Sequence, residues 1–348
     1  MSKNRHIAAF RLSSMGDVAM TVPVLRALQQ QHPQAKITMV SRPFFKAFFE
    51  EIPNVHFFAA DLKKRHKGFF GLLRLYKDLN ALQIDAFADL HNVLRSKIMR
   101  NLFALSGKKT AFIDKQRAAK KALTRAENKI FKPLAPMFEL HKKVFHELGI
   151  EIDLKNPRFP EKAVLSQDIL ELTGEKNQKW IGIAPFAQYE SKIYPQDLMQ
   201  EVIDRLAQSQ RYKIFLFGGG GKEIEIAVQF SRNRENVIAV AGKLKLQEEL
   251  KLISNLDVML SMDSANAHIA AMAGIRVVTL WGATHPYAGF LPFNQTMDAA
   301  LVSDRKKYPL LPTSVYGNKT AAGYEDAMRS ISVESVVEKV EDYLCSVQ

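Results

Sequence analysis

Cysteine is nearly absent from this 348-residue chain, which contains only Cys345. A single cysteine excludes an internal disulfide framework and any cysteine-based zinc site. Long hydrophobic runs are also missing, because the most apolar stretch, residues 265–283, is interrupted by a histidine and an arginine. We therefore expect no transmembrane helix. Near the beginning, Arg11 and Asp17 interrupt the apolar residues too early for a signal peptide. Together these absences predict a protein of a reducing cytoplasm.

Acidic residues are scarce in the first part of the chain. Residues 1–150 contain 27 Lys and Arg against 11 Asp and Glu, a net charge of +16. Residues 151–348 contain 22 against 25, a net charge of −3. With 47% hydrophobic and 24% charged residues, the whole chain has a globular composition. The basic first half therefore predicts an anionic partner, which is nucleic acid, a phosphorylated surface or acidic lipid.

Hydrophobic, β-branched segments alternate with helical ones along the chain, which is typical of parallel α/β sheets. The predicted strands are residues 6–12, 36–41, 55–60, 86–91, 110–114, 180–186, 213–218, 237–241, 258–262 and 277–281. The main predicted helices are residues 17–31, 69–82, 94–105, 196–210, 222–232, 246–255, 265–273 and 333–344.

A proline-containing segment, residues 156–160, suits a linker between two such units. We therefore predict two Rossmann-like domains, residues 1–155 and 161–330, whose parallel sheets face a cleft. Residues 331–348 are expected to form a C-terminal helix. One arrangement for this helix is that it packs back on the N-terminal domain.

The first predicted strand leads directly into the segment Ser13-Ser14-Met15-Gly16-Asp17. Neither a G-x-G-x-x-G fingerprint nor a P-loop pattern is present, so no dinucleotide or P-loop site is indicated. Asp17 would stand at the start of the next helix. It has two interpretations, an N-cap that accepts hydrogen bonds from free amides or a general base that takes a proton from a hydroxyl. The residues alone leave both open.

Three strand-to-helix junctions in the second half are suited to phosphate. Lys192 precedes one helix, the glycines at 218–221 precede a second, and Ser264 opens a third. Free helix amides, glycine backbone and a lysine all attract anions. Each also has an ordinary explanation, and His268 is equally well explained as a core residue. The three together predict a nucleotide-diphosphate pocket, while the absence of H-E-x-x-H and D-x-D motifs indicates no metal site.

Four segments of the chain match one known family in their order and spacing. They are RLSSMGDVAMTVPVLRAL (11–28), APFAQYESKIYP (184–195), FGGGGKEIEIA (217–227) and a long stretch (241–286) that contains LSMDSANAHIAAMAGIRVVTLWGATHP. The chain thus resembles the bacterial lipopolysaccharide heptosyltransferases of glycosyltransferase family 9. The resemblance implies a GT-B fold with an acceptor-binding N-terminal domain and a nucleotide-sugar-binding C-terminal domain. It further implies inverting transfer of heptose from ADP-heptose to a lipopolysaccharide inner-core (Kdo/heptose-lipid A) acceptor, without a cofactor or metal.

The resemblance also gives individual residues their expected roles. Asp17 corresponds to the family's proposed catalytic base, and Lys192 to the lysine that holds the diphosphate. Further donor contacts are expected from Gln188, Glu223, Leu244, Asp263, Ser264, Ala265 and His268. The basic charge of the first half, taken together with this resemblance, predicts contacts with the anionic acceptor from Ser14, Gly16, Lys63, Lys64, Arg65 and Arg95.

Three places depart from the usual family pattern. Ala265 replaces a glycine, Ala187 and Gln188 replace small hydroxyl residues, and Tyr194 replaces a tryptophan. A GT-B transferase that uses another nucleotide sugar for a different surface glycan therefore stays open as an alternative.

The basic charge leaves a more distant alternative, a non-enzymatic nucleic-acid-binding protein, although no recognised nucleic-acid motif is present. The family hypothesis instead predicts a cytoplasmic enzyme that binds no nucleic acid and contacts the anionic inner-membrane surface through its basic domain.

Overall fold

The computed structural model describes residues 5–345, which fold into two compact units. The first unit comprises Met1–Gln116 and Ala135–Phe159, and the second comprises Arg117–Leu134 and Pro160–Gln348. The chain enters the second unit for the last time between Phe159 and Pro160, inside the predicted linker of residues 156–160. The division differs from the predicted one because Arg117–Leu134 belongs with the second unit. By this division the net charge is +11 for the first unit and +2 for the second.

Strands and α-helices alternate along the described residues. The strands are β1 (His6–Phe10), β2 (Lys36–Ser41), β3 (Val55–Ala59), β4 (Ala86–Asp89), β5 (Lys109–Phe112), β6 (Lys179–Ala184), β7 (Tyr212–Leu216), β8 (Val237–Ala239), β9 (Val258–Met262), β10 (Arg276–Trp281) and β11 (Ala300–Val302). The helices are α1 (Met15–Ala19), α2 (Val22–Gln31), α3 (Gly68–Asn80), α4 (Leu94–Leu105), α5 (Arg117–Thr124), α6 (Met137–Glu147), α7 (Gln167–Thr173), α8 (Gln196–Gln208), α9 (Gly221–Ser231), α10 (Leu246–Ser254), α11 (Ala265–Met272) and α12 (Val333–Cys345).

Each unit contains one wholly parallel sheet. The strand order is β3-β2-β1-β4-β5 in the first unit and β11-β10-β9-β6-β7-β8 in the second. Parallel strands place all their carboxyl ends at one edge of the sheet, so the loops that follow them gather there. The predicted alternation of strands and helices is therefore confirmed, and it sets where a site forms.

The central strands of both sheets are mostly apolar and buried, as expected for parallel sheets with helices on both faces. All five residues of β1 are buried. In the first unit, Phe87 packs on Phe10 and Phe103, with ring centroids 5.6 and 4.9 Å apart. In the second unit, Trp180 packs edge-on against Phe215, with centroids 4.8 Å apart.

Two helical regions differ from the prediction. The helix predicted over residues 17–31 is split into α1 and α2, and Pro23, which has no amide hydrogen, lies in the first turn of α2. Helix α12 places Val336, Val340 and Leu344 in the core of the second unit. The C-terminal helix therefore buries its apolar stripe on the domain that precedes it in sequence, rather than on the N-terminal domain. Among residues 5–345, no helix is long and apolar enough to cross a membrane.

Candidate active site

Each sheet has one point at which the direction of the strand order reverses. It lies between β1 and β4 in the first unit and between β6 and β9 in the second. Ligands of open α/β sheets bind beside the carboxyl ends of the strands at such a point. Asp17 follows β1, Lys192 follows β6 and Asp263 follows β9. The topology therefore places the three most specific sequence candidates at the two reversal points.

Asp17 is the third residue of α1, and the N-cap of this helix is Ser14. The interpretation of Asp17 as the N-cap is therefore wrong. Its Oδ2 accepts hydrogen bonds from the Ser14 hydroxyl at 2.9 Å and the Ser14 amide at 3.3 Å. The same oxygen pairs with Arg11 Nη2 at 2.6 Å. Within residues 5–345 no hydrogen bond reaches Oδ1, and the side chain is 22% exposed.

Arg11 holds the carboxylate of Asp17 in place. Its Nε donates to the Ser13 carbonyl at 3.0 Å and its Nη1 to the Leu90 carbonyl at 2.6 Å, and the residue is buried. Burial alone raises the pKa of Asp17, but Arg11 and the two Ser14 hydrogen bonds outweigh burial and lower that pKa to about 2. Asp17 is therefore ionised at neutral pH and keeps one oxygen available. Arg11 was not predicted as a site residue, although it begins the RLSSMGD segment.

Two buried histidines of the first unit interact electrostatically with this ion pair. Burial first, and then the charge of Arg11, lowers the pKa of His91 and of His141 to about 3. Both imidazoles are therefore neutral at pH 7. Since neither carries a charge, Arg11 supplies the positive charge that balances Asp17.

The other candidates on the acceptor side lie at the same edge of the first sheet. Gly16 is buried in α1, whereas four basic side chains are exposed, namely Lys63, Lys64, Arg65 and Arg95. Arg65 is already engaged, because its Nε and Nη2 donate to the two carboxylate oxygens of Asp78 at 2.9 and 2.7 Å. The backbone amides of Lys63 and Lys64 donate to Asp61 and shape the loop. These two lysines therefore offer charge to an anion more readily than Arg65 does.

In the second unit, Lys192 and Asp263 form an ion pair at the ends of β6 and β9. Lys192 Nζ lies 3.0 Å from Asp263 Oδ2, and Thr284 Oγ1 donates to the same oxygen at 2.8 Å. The exposed fraction is 13% for the Lys192 side chain and 8% for that of Asp263. Asp263 thus holds a lysine that retains access to solvent. Thr284 was not singled out from the sequence, although it lies in the WGATHP segment.

The segment after β9 adopts the predicted strand-to-helix junction. Ser264 is the N-cap of α11 and Ala265 is its first residue. The Ser264 hydroxyl lies 3.2 Å from that of Ser261. His268, one turn further, is buried in the helix. Helix α11 therefore begins two residues after Asp263, and the backbone amides of such a first turn can bind an anion.

The glycine loop before α9 differs from the simple phosphate cradle that its sequence indicates. Glu223 Oε2 accepts hydrogen bonds from the amides of Gly219 at 2.8 Å and Gly220 at 3.3 Å. The carboxylate therefore occupies the amides that were expected to approach a phosphate. Because the bonds involve one oxygen, Glu223 keeps its other carboxylate oxygen for hydroxyl donors.

The remaining donor candidates lie on loops of the second unit. Gln188 is exposed after β6, and Leu244 is half-buried between β8 and α10. Tyr194 is fully buried and its hydroxyl donates to the Ile331 carbonyl at 2.7 Å, so it is a core residue just before α8. Among the described residues, no three His, Cys, Asp or Glu side chains gather as a metal site would require.

Comparison with known proteins shows the family. The model of "Glycosyltransferase family 9 (heptosyltransferase)" matches residues 72–315, more than half of the chain. The chain belongs to glycosyltransferase family 9. The resemblance seen in the sequence is thereby confirmed, and this family 9 member is a glycosyltransferase.

Relatives of known identity align along nearly the whole chain. The lipopolysaccharide core heptosyltransferase OpsX of Haemophilus influenzae is 24% identical over 339 residues, which cover 96% of this chain and 95% of OpsX. The family 9 glycosyl transferase of Veillonella parvula matches with a TM-score of 0.74 and 20% identity, over 99% and 98% of the two chains. Escherichia coli heptosyltransferase WaaC with ADP matches with a TM-score of 0.68 and 18% identity, over 97% and 99%. These matches confirm the GT-B fold.

Proposed function

We propose that this family 9 enzyme transfers heptose from ADP-heptose to the inner core of lipopolysaccharide, with inversion at the anomeric carbon. The observation that carries the proposal is the presence of two ion pairs, Arg11–Asp17 and Lys192–Asp263. The first leaves an ionised Asp17 oxygen available in one unit, and the second leaves the Lys192 ammonium available in the other. The name of OpsX supports the acceptor. The structures of WaaC with ADP and with ADP-2-deoxy-2-fluoro heptose support the donor.

In this mechanism Asp17 Oδ1 accepts the proton of an acceptor hydroxyl while that oxygen attacks the anomeric carbon. The bond between the anomeric carbon and the diphosphate breaks, and its electron pair leaves with ADP. Because its pKa is about 2, the Asp17 carboxylate is a weak base. It therefore accepts the proton only as the hydroxyl becomes more acidic, which happens while the hydroxyl oxygen forms its bond to carbon. Attack on the face opposite the leaving group inverts the configuration.

The second unit stabilises the negative charge that develops on the departing diphosphate. Lys192 supplies a cation, and the first amides of α11 supply hydrogen-bond donors. Glu223 accepts from ribose hydroxyls through the oxygen that the glycine loop leaves available. Gln188, Leu244 and the surface of Ala265 complete the donor contacts, and no metal takes part in this scheme.

The first unit binds the anionic acceptor and contacts the cytoplasmic face of the inner membrane. Lys63, Lys64 and Arg95 pair with acidic groups of the lipopolysaccharide core. Phe69 and Phe70 are exposed at the start of α3, directly after the Lys63–Lys64 loop. Aromatic side chains beside basic groups suit the boundary between lipid and water.

The decisive experiment separates a base from a structural aspartate. We expect Asp17→Ala to lower the rate of heptose transfer by about 10²–10⁴-fold, the usual contribution of a general base, while ADP affinity is unchanged. Asp114→Ala is the matched control, because Asp114 is an exposed acid after β5 in the same unit. Normal turnover by the Asp17 variant would reduce Asp17 to a helix-capping role.

The donor is tested by thermal stabilisation with ADP-heptose, ADP, UDP and GDP, with and without Mg²⁺. We expect stabilisation by the ADP compounds that does not depend on Mg²⁺. A preference for UDP or GDP would support the alternative of another nucleotide sugar. Salt-dependent binding of duplex DNA without any nucleotide effect would instead support the nucleic-acid alternative.

A further inference from the structure

A loop of the second unit, residues 314–318, packs directly against the stem of Lys192. Gly317 in this loop is buried and has φ = +86°, a conformation that favours glycine. A Cβ atom at this position would lie 2.4 Å from Lys192 Cδ and 2.6 Å from Lys192 Cγ. No side chain therefore fits at position 317 while Lys192 keeps its conformation.

The loop is held in place by hydrogen bonds to the segment that carries the lysine. Ser191 Oγ donates to the Gly317 carbonyl at 2.6 Å, and the Gly317 amide donates to Ser314 Oγ at 2.9 Å. The Ser191 carbonyl in turn accepts from the Ala283 amide at 3.0 Å. Ser191 thus links the loop, the Lys192 segment and the end of β10.

These contacts restrict a side chain that is otherwise flexible. A lysine stem has many rotamers, and ordering it on ligand binding reduces affinity. Here the Gly317 backbone lies against the stem, and the ammonium pairs with Asp263, 3.0 Å away. The cation is therefore ordered before any anion arrives.

We propose that Gly317 is a positioning residue for Lys192. The backbone of Gly317, which carries no side chain, and the hydrogen bond that it accepts from Ser191 hold Lys192 where its ammonium meets the diphosphate. This proposal rests on the proposed function, in which Lys192 binds the donor diphosphate. Gly317 lies just beyond residues 72–315, the part of the chain that the family model matches. The contact of Gly317 with Lys192 therefore comes from the loop that follows the matched region.

The test compares ADP affinities, by calorimetry, of the full chain and its glycine variants. Gly317→Ala is expected to weaken ADP binding about tenfold, as the loss of one charge-assisted hydrogen bond would. Gly323→Ala is the matched control, because Gly323 also has a positive φ of +77° but a Cβ there meets nothing within 4 Å. It shares the backbone strain without the clash, so its ADP affinity should be that of the wild type.

A double-mutant cycle shows whether the effect passes through the lysine. Lys192→Ala removes Cγ and Cδ, so adding Gly317→Ala to it should change ADP affinity no further. Ser191→Ala, which adds no atoms, should weaken ADP binding in the wild-type background and have no effect beside Lys192→Ala. Adenosine, which has no phosphate, should bind all these variants equally.

The possible results distinguish the two proposals. An equal loss of ADP affinity on Gly317→Ala in both backgrounds, or a parallel loss for adenosine, would show a general disturbance and overturn the positioning role. Wild-type affinity in Gly317→Ala together with a loss in Lys192→Ala would overturn the positioning role alone. Wild-type ADP affinity in Lys192→Ala would instead overturn the part of the proposed function that assigns the diphosphate to Lys192.

Discussion

Both units place an aspartate and a cation at the reversal point of their sheet, but the more deeply buried partner differs. In the first unit the exposed fractions are 3% for Arg11 and 22% for Asp17. In the second they are 13% for Lys192 and 8% for Asp263, which Thr284 holds as well. In the proposed function, the more deeply buried partner of each pair orients the other, and the other meets the ligand. One pair therefore presents an anion and the other presents a cation.

This inversion matches the two opposite charges that glycosyl transfer requires. A proton must be accepted at the attacking oxygen, and negative charge must be stabilised on the leaving diphosphate. Net charge does not reveal this division, since the first unit, which presents the anion, is the more basic one at +11. In the proposed function, the role of each pair instead depends on which partner is more deeply buried.

Removal of the cation of the second unit should have the largest effect. Lys192→Met should lower the transfer rate by about 10²–10³-fold, because a preorganised charge on the leaving group contributes that much. Unlike Asp17→Ala, it should also weaken ADP binding. Lys179→Met, at the opposite end of β6, is the control and should preserve both quantities. If both Lys192 and Asp17 variants lost transfer but kept full ADP affinity, the cation would have no role in donor binding.

The two units also differ in surface charge, and removing basic residues from the first unit should weaken its binding to anionic lipid. Replacing Lys63 and Lys64 by glutamine should weaken binding to vesicles that contain anionic lipid by about 30-fold, given about 1 kcal/mol for each basic residue near such a surface. Lys306 and Lys307 are two adjacent exposed lysines of the second unit, and their double glutamine variant is the control. Vesicle sedimentation measures both. An equal loss in the control would show that net charge, rather than the Lys63–Lys64 loop, determines membrane contact.

The fold was predictable wherever the local pattern was strong. Strands β2 and β9 have the predicted bounds, because short segments rich in apolar residues mark strands that are buried on both faces. Strand β11 was missed because it has only three residues and pairs at the edge of the sheet. Its short segment carries too little pattern to be distinguished from a loop.

The placement of Arg117–Leu134 was not predictable because it depends on contacts that are distant in sequence. Lys129 Nζ donates to the Pro312 carbonyl at 2.7 Å, and the Arg305 guanidinium lies 3.4 Å from the Phe131 ring centroid. The local composition of the segment is basic, like that of the residues before it. Nothing in that composition indicates the domain on which the segment packs.

The candidate site shows the same limit. Asp17, Lys192 and Asp263 were identified because polar residues at strand-to-helix junctions are visible in the sequence. Their partners Arg11 and Thr284 were not identified, since the pairing of two side chains depends on the path of the backbone between them and on tertiary packing. The chemical groups of the candidate site can thus be identified from the sequence. The degree to which each of their side chains is buried cannot.

The third prediction concerns Arg11 and has the smallest effect at neutral pH. Arg11 is the main cause that lowers the pKa of Asp17 from 3.8 to about 2, against the opposing effect of burial. A depressed carboxyl pKa adds stability that is complete above the ordinary pKa and is lost as the pH falls through the folded value. In Arg11→Gln the effect of burial persists while that of the cation is lost, so the pKa of Asp17 rises.

The measurement is the pH dependence of kcat/KM between about pH 5 and about pH 8, which reports the free enzyme's essential base. The wild type should show no loss from Asp17 in this range, whereas Arg11→Gln should lose activity progressively as the pH decreases. Arg100→Gln is the control, because Arg100 pairs with Asp89 in the same unit at 3.3 Å and should not move the profile. An Arg11→Gln enzyme that retains ADP binding and a flat profile would show that Arg11 does not tune Asp17. The first unit's ion pair would then serve only to hold α1, and the parallel with the second unit would be structural rather than chemical.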